Sequence, residues 1–169
     1  MTSDYRIDAV FELRKFLWEE LKLNNIFDIN EYYSDNIGSE IIPIIPVQQA
    51  PELNQFLSGK KHIVYDKVGT TYDDIWLICN EKVMFTIYST DIMDIYEIRN
   101  LMTDLFRRMD DSAKDANQAR STDKIKFHSI YLSEMSAIQP SEQLQGFLSG
   151  DLIIDIKYSR ITDGKGRYN

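Results

Sequence analysis

Apolar residues recur at three- and four-residue steps from Tyr5 to Leu23. Ala9, Val10, Leu13, Phe16, Leu17 and Leu21 share one side, while Glu12, Arg14, Lys15, Glu19 and Lys22 take the other. That spacing predicts an amphipathic helix, with Ser3 or Asp4 as its N-cap. Residues 24–59 follow no period. Within them Ile41-Ile42-Pro43-Ile44-Ile45-Pro46-Val47 is β-branched but broken by proline, which suits an extended edge segment or a long ordered loop and not a central strand. Pro51 to Leu57 reads as a short helix closed by Ser58-Gly59.

From Lys60 the period becomes two. Strands are expected over Lys60–Val68, Tyr72–Cys79 and Lys82–Ser89, with Asn80-Glu81 as the turn between the last two. In the third, Val83, Phe85 and Ile87 share one face and Met84, Thr86 and Tyr88 the other. Apolar residues on both faces predict a strand covered on both, or covered on one and buried against a partner on the other. Thr90 or Asp91 then caps a second long helix, whose face is Ile95, Ile98, Leu101, Met102, Leu105, Phe106 and Met109. Asp110–Ala119 has helix-compatible residues but no apolar stripe, so it is either a projecting continuation or a mobile loop. Strands over Lys124–Met135 and Asp151–Ile161 complete the pattern, and the tail at 162–169 is expected to be flexible. The expected class is α+β: one domain, with a mostly antiparallel sheet of four to six strands flanked by the N-terminal helix and one long central helix.

Composition narrows the function classes. Nineteen basic against 27 acidic residues leave a net charge of −8, the wrong sign for a free-standing nucleic-acid-binding module. A single cysteine makes no internal disulfide, and no apolar run approaches the ~18 residues that span a bilayer, so no membrane partner is expected. Residues 1–59 hold ten acids and four bases. After Ile156, Lys157, Arg160, Lys165 and Arg167 stand against Asp163 alone, so an acidic body and a basic end are available to pair between subunits.

Signatures of chemistry are absent. Gly59-Lys60 lacks the upstream glycine of a phosphate-binding loop, since Asn54 stands there, and a strand follows it. His62 and His128 have no ligand-type residue at metal spacing. Cys79 ends an apolar strand, where a buried small hydrophobe is the usual role. Asp73-Asp74 and Asp110-Asp111 have no calcium-loop spacing. No enzyme, metal or cofactor is expected. The tetrapeptide Phe56-Leu57-Ser58-Gly59 returns as Phe147-Leu148-Ser149-Gly150, each before a strand.

Taken together, four pieces resemble the tail-terminator or tail-completion proteins of long-tailed bacteriophages. These are the helix around Ala9-Val10-Phe11-Glu12-Leu13, the segment Pro46-Val47-Gln48-Gln49-Ala50-Pro51, the wide hairpin of residues 74–79 and 83–88 leading into the main helix, and the closing strands ending Asp155-Ile156-Lys157-Tyr158-Ser159-Arg160. The resemblance implies a virion protein of a contractile-tailed phage, assembled in the host cytoplasm. It implies a homohexameric ring that stops tail-tube polymerisation and offers a docking surface to sheath, neck or head connector, with DNA only as passing cargo. The alternatives are a neck or head-completion adaptor and a non-viral α+β protein-interaction adaptor. Candidate interface residues are Trp76, Phe85, Tyr88, Arg107, Arg108, Lys157, Arg160 and Arg167.

Overall fold

The computed structural model describes residues 8–48, 51–73 and 78–160, with the backbone alone for 51–53. The chain is α+β. Its elements are α1 (Ala9–Leu23), a 3₁₀ turn (Ile29–Tyr32), β1 (Tyr33–Ser34), β2 (Ser39–Glu40), β3 (Ile44–Pro46), α2 (Pro51–Phe56), β4 (His62–Tyr72), β5 (Ile78–Ser89), α3 (Ile92–Phe106), α4 (Asp110–Ala119), β6 (Ile125–Met135), β7 (Gln139–Pro140) and β8 (Leu148–Arg160). The main sheet runs β3-β4-β5-β8-β6, with β7 beside β8. Only the β3–β4 pair is parallel.

Asp8 caps α1, its carboxylate accepting from Val10 N–H at 2.8 Å, and the same side chain pairs with Lys67 on β4. One residue thus stops the helix and ties it to the sheet. The irregular stretch after α1 is held by aromatic packing: Trp18, Phe27 and Tyr32 meet edge to face, and the Tyr32 hydroxyl donates to Lys61 O at 2.7 Å. Trp18 Nε1 donates to Glu40, which Lys22 also holds at 2.9 Å. Of the two readings of the proline-bearing segment, Ile44–Pro46 takes the edge strand, with Ile44 and Ile45 buried and Ile44 O accepting from Arg14 at 3.3 Å. Glu12 corrects the sequence reading. Expected on the solvent side, it is buried and accepts from Ser121 N–H at 2.9 Å and Ser121 Oγ at 2.8 Å, joining α1 to the loop before β6.

The central hairpin also differs from expectation. Two long strands replace three shorter ones, because Asn80 and Glu81 continue β5 opposite Thr71 and Thr70. Asn80-Glu81 has no glycine to supply the left-handed backbone of a two-residue turn. Cys79, Glu81, Val83, Phe85 and Ile87 form one unbroken buried row. The reversal lies beyond Tyr72, where Asp73 N–H donates to Ile78 O at 3.1 Å. Residues 74–77, half of the expected Tyr72–Cys79 strand, lie outside the described residues.

Helices cover one face of the sheet. Ile95, Ile98, Met102, Leu105 and Phe106 of α3 and the apolar stripe of α1 join Val83, Phe85, Leu152 and Ile154 in a single core, with Phe16 edge-on to Phe106. Asp91 caps α3 through Met93 N–H at 2.9 Å. At the closest approach stands Gly150, where a Cβ would lie 3.3 Å from Ile95 Cγ2. Met109, expected on the apolar face of α3, instead lies exposed at the α3–α4 corner with φ +49°. Asp110–Ala119 is neither projection nor loop. It is a packed helix whose buried side is small, Ser112, Ala113 and Ala116, a stripe that a search for large apolar residues passes over. The tail at 162–169 lies outside the described residues, among which no helix is long and apolar enough to cross a membrane.

Candidate functional site

Among the described residues, no helical layer covers the opposite face of the sheet over most of its length. On β5 and β8 the positions between the buried ones are half-buried or exposed and satisfy each other across strands. Thr86 Oγ1 donates to Asp151 at 2.7 Å, and Lys82 lies 3.9 Å from Asp155. Asn80 and Lys157 both reach Asp73, at 2.7 and 3.1 Å, and these two contacts hold its carboxyl below the usual aspartate range. Where Val68, Tyr131 and Met109 converge, a shallow groove of about 500 Å³ opens, with Lys82, Asp155 and Lys157 along its floor. All three apolar residues are well exposed.

At the other end of that face, α2 and the loop 141–147 form a roof. The loop is folded by Ser141, whose Oγ accepts from Gln143 and Leu144 N–H and whose N–H donates to Phe147 O at 2.8 Å. Tyr88 Oη donates to Gln143 at 3.0 Å and pins the loop to β5. Beneath the roof, His62 stacks on Tyr88 and meets the edge of Phe147. Two neighbouring lobes of about 190 and 460 Å³ have Asn54, His62 and Leu144 as common walls. Burial lowers the His62 pKa, so its ring is neutral at pH 7.

A third feature lies on the helix-covered face. Glu81 is 7% exposed; its Oε1 accepts from Tyr158 Oη at 3.1 Å and lies 3.9 Å from Lys67, while Oε2 is buried with no hydrogen-bond partner. Burial raises its pKa, and Asp8 adds to the rise against Lys67, Tyr158 and Arg160. Cys79 is beside it, with its thiol pushed up by burial, the opposite of an activated thiolate. On the uncovered face His128 Nε2 lies 2.9 Å from Ser159 Oγ, a nucleophile–base distance. Burial lowers this imidazole, as do Lys126 and Lys157, and no carboxylate orients it among the described contacts. Groups of three or more His, Cys, Asp or Glu able to hold a metal do not occur among the described residues.

The candidate interface residues fall in separate places. Trp76 and Arg167 lie outside the described residues. Phe85 is a correction: fully buried and packed near Tyr65, it belongs to the core of the subunit and has no surface to offer a neighbour. Tyr88 faces the roofed pocket. Arg107 is the exposed C-cap of α3, and Arg108 is engaged within the chain by Asp115 at 2.8 Å. Lys157 and the α3–α4 corner meet at the groove, whereas Arg160 lies on the covered face of β8. Lys157 pairs with Asn80 and so stands eight residues along β5 from Tyr88, roughly 27 Å at ~3.4 Å per residue. Sequence reasoning missed Glu81 by reading it as a turn residue, and missed His62 by testing it as a metal ligand or catalytic base and not as a pocket wall.

No protein-family model and no curated protein matches this chain.

Proposed function

We propose that the chain is a structural virion protein, a ring-forming tail-terminator or tail-completion subunit that caps the tail tube and receives sheath, neck or head connector. The observation that supports this most directly is the sheet whose long helices, among the described residues, lie on one face and leave much of the other without a helical layer. Val68, Tyr131 and Met109 stand exposed at a groove on the other face, where a neighbouring subunit has something to cover. Charge pairs floor the groove, which suits an interface that must also exist uncovered before assembly. The net charge of −8 suits a lumen through which DNA passes without sticking. The proposal assigns no catalytic residue.

The test is molar mass in solution by light scattering, repeated with purified tail tubes. A mass near six chains, or hexamers that form only on tubes, is the expected result. A monomer that also ignores tubes overturns it. A neck or head-completion adaptor would instead bind portal and not tube in the same assay. One observation favours a peptide-binding adaptor: beyond Tyr65 the β4 edge, Asp66–Tyr72, is exposed at every position and has no neighbouring strand on its outer side among the described residues. A monomer that captures an extended peptide along this edge would establish that reading.

A further inference from the structure

The roofed pocket has the make-up of a ligand site, and none of the surfaces used in the ring proposal is part of it. Its larger lobe, about 460 Å³, falls within the ~300–1,000 Å³ range of small-molecule sites. The wall is aromatic: His62 and Tyr88 stack with centroids 5.3 Å apart, and Phe147 stands edge-on to His62 at 6.1 Å. Ile45, Leu57 and Leu144 supply apolar surface. The two Phe-Leu-Ser-Gly tetrapeptides converge here, Leu57, Ser58 and Gly59 from one and Phe147 from the other. Their backbones differ, since Gly59 is left-handed at φ +78° after α2 while Gly150 pairs with Ile87 inside the sheet. The echo therefore marks two walls of one pocket and not a duplicated unit.

His62 decides the ligand chemistry. Its Nδ1 lies 2.8 Å from Lys60 O, and a carbonyl oxygen can only accept, so Nδ1 carries the proton. Nε2 is then a bare acceptor. It has no partner among the described contacts and is not sealed from solvent, and in a side chain 7% exposed the pocket is its outlet. Among the described residues no lysine or arginine lines either lobe, so an anion would find no counter-charge from them. The missing piece is a neutral donor on a flat apolar body.

We propose that this pocket binds an uncharged aromatic ring carrying an O–H or N–H donor, a phenol or an indole, with the donor on His62 Nε2 and the ring against Phe147. The ring can belong to a tyrosine or tryptophan side chain or to a free small molecule.

The test titrates p-cresol, indole and toluene into the full chain while following the His62 imidazole nitrogens and the Phe147 ring by NMR. The donors are expected to bind at least roughly tenfold tighter than toluene, because an unfilled acceptor penalises the ligand that lacks the donor. Binding should weaken as pH falls and Nε2 takes a proton. His62→Phe keeps the aromatic stack and should erase the preference, and Leu144→Trp should fill the shared wall and abolish binding of all three. N-acetyltyrosinamide binding as well as p-cresol assigns the ring to a side chain; its exclusion assigns a free phenol or indole. Equal affinity for toluene and p-cresol in the unmodified protein, shifts confined elsewhere, or no shift up to the solubility limit each overturn the proposal. None of these results depends on ring formation.

Discussion

At position 81 a carboxylate sits on the helix-covered side of β5 with one oxygen bonded to Tyr158 and the other buried and unmatched. Burial raises its pKa above that of an unfolded glutamate, so the folded chain holds this proton more tightly. Stability from this group is therefore full below the unfolded value of about 4.5 and declines as pH rises through the raised folded value. Glu81→Gln keeps the acceptor for Tyr158 and removes the charge. It should stabilise the protein by about 1 kcal/mol at pH 7, with the two urea curves converging near pH 4. Asp73 on the other face has the opposite sign. Its lowered pKa gives stability that is present above the ordinary aspartate value and is lost as pH falls through the folded one. Acid titration should thus show losses below the convergence point in both proteins. Neither residue was legible in the sequence, because a carboxylate declares its environment only after strand register is known.

The two edges of the sheet are handled differently, and that is decided at the level of elements. On the β6 side α4 replaces the next strand. Asn117 takes both backbone groups of Phe127, at 2.8 and 2.9 Å, Arg120 reaches Ile125 O at 2.9 Å, and Met109 O accepts from Ile130 N–H. Asn117→Ala should cost about 2 kcal/mol in urea unfolding and speed hydrogen exchange at Phe127. The β4 edge has no such cover, but two devices blunt it. The register slips between Lys67 and Gly69, and the Lys67 amine is turned in toward Asp8 and Glu81. Deleting Val68 to restore a regular ladder, together with Lys67→Val, should promote open-ended, concentration-dependent association by sedimentation velocity, beyond whatever closed assembly the unmodified protein forms. The alternation that revealed β5 and the proline that demoted β3 to an edge were both readable. The bulge was not, since a one-residue slip leaves no mark in composition, and α4 was hidden because alanine and serine bury without looking apolar.

On the scale of the whole molecule, a layer of helices on one side of an antiparallel sheet followed from periodicity alone, because α1 and α3 each present a single stripe that must be buried. What periodicity could not do was say which face of β5 met those stripes. Either Val83-Phe85-Ile87 or Met84-Thr86-Tyr88 would have served, and the choice of core over interface for Phe85 came only with the packing. The two residues now separate by experiment. Phe85→Ala should lower stability by about 3–5 kcal/mol whatever the assembly state. Tyr131→Asp, on the groove, should leave the melting transition within ~0.5 kcal/mol of the parent and abolish the ring by light scattering. A Tyr131→Asp protein that still forms full rings would remove the groove from the interface.

The position of β8 between β5 and β6 bears on how the chain is made. Its bonds reach far back, the Tyr158 hydroxyl meeting Glu81 across 77 residues, and without β8 the hairpin β4–β5 and the strand β6 share no ladder. A nascent chain emerging from the ribosome thus has two unjoined half-sheets and exposed core surface until residue 160 is free. Chaperone engagement and aggregation risk should concentrate in that interval, and folding should wait until β8 has emerged in full.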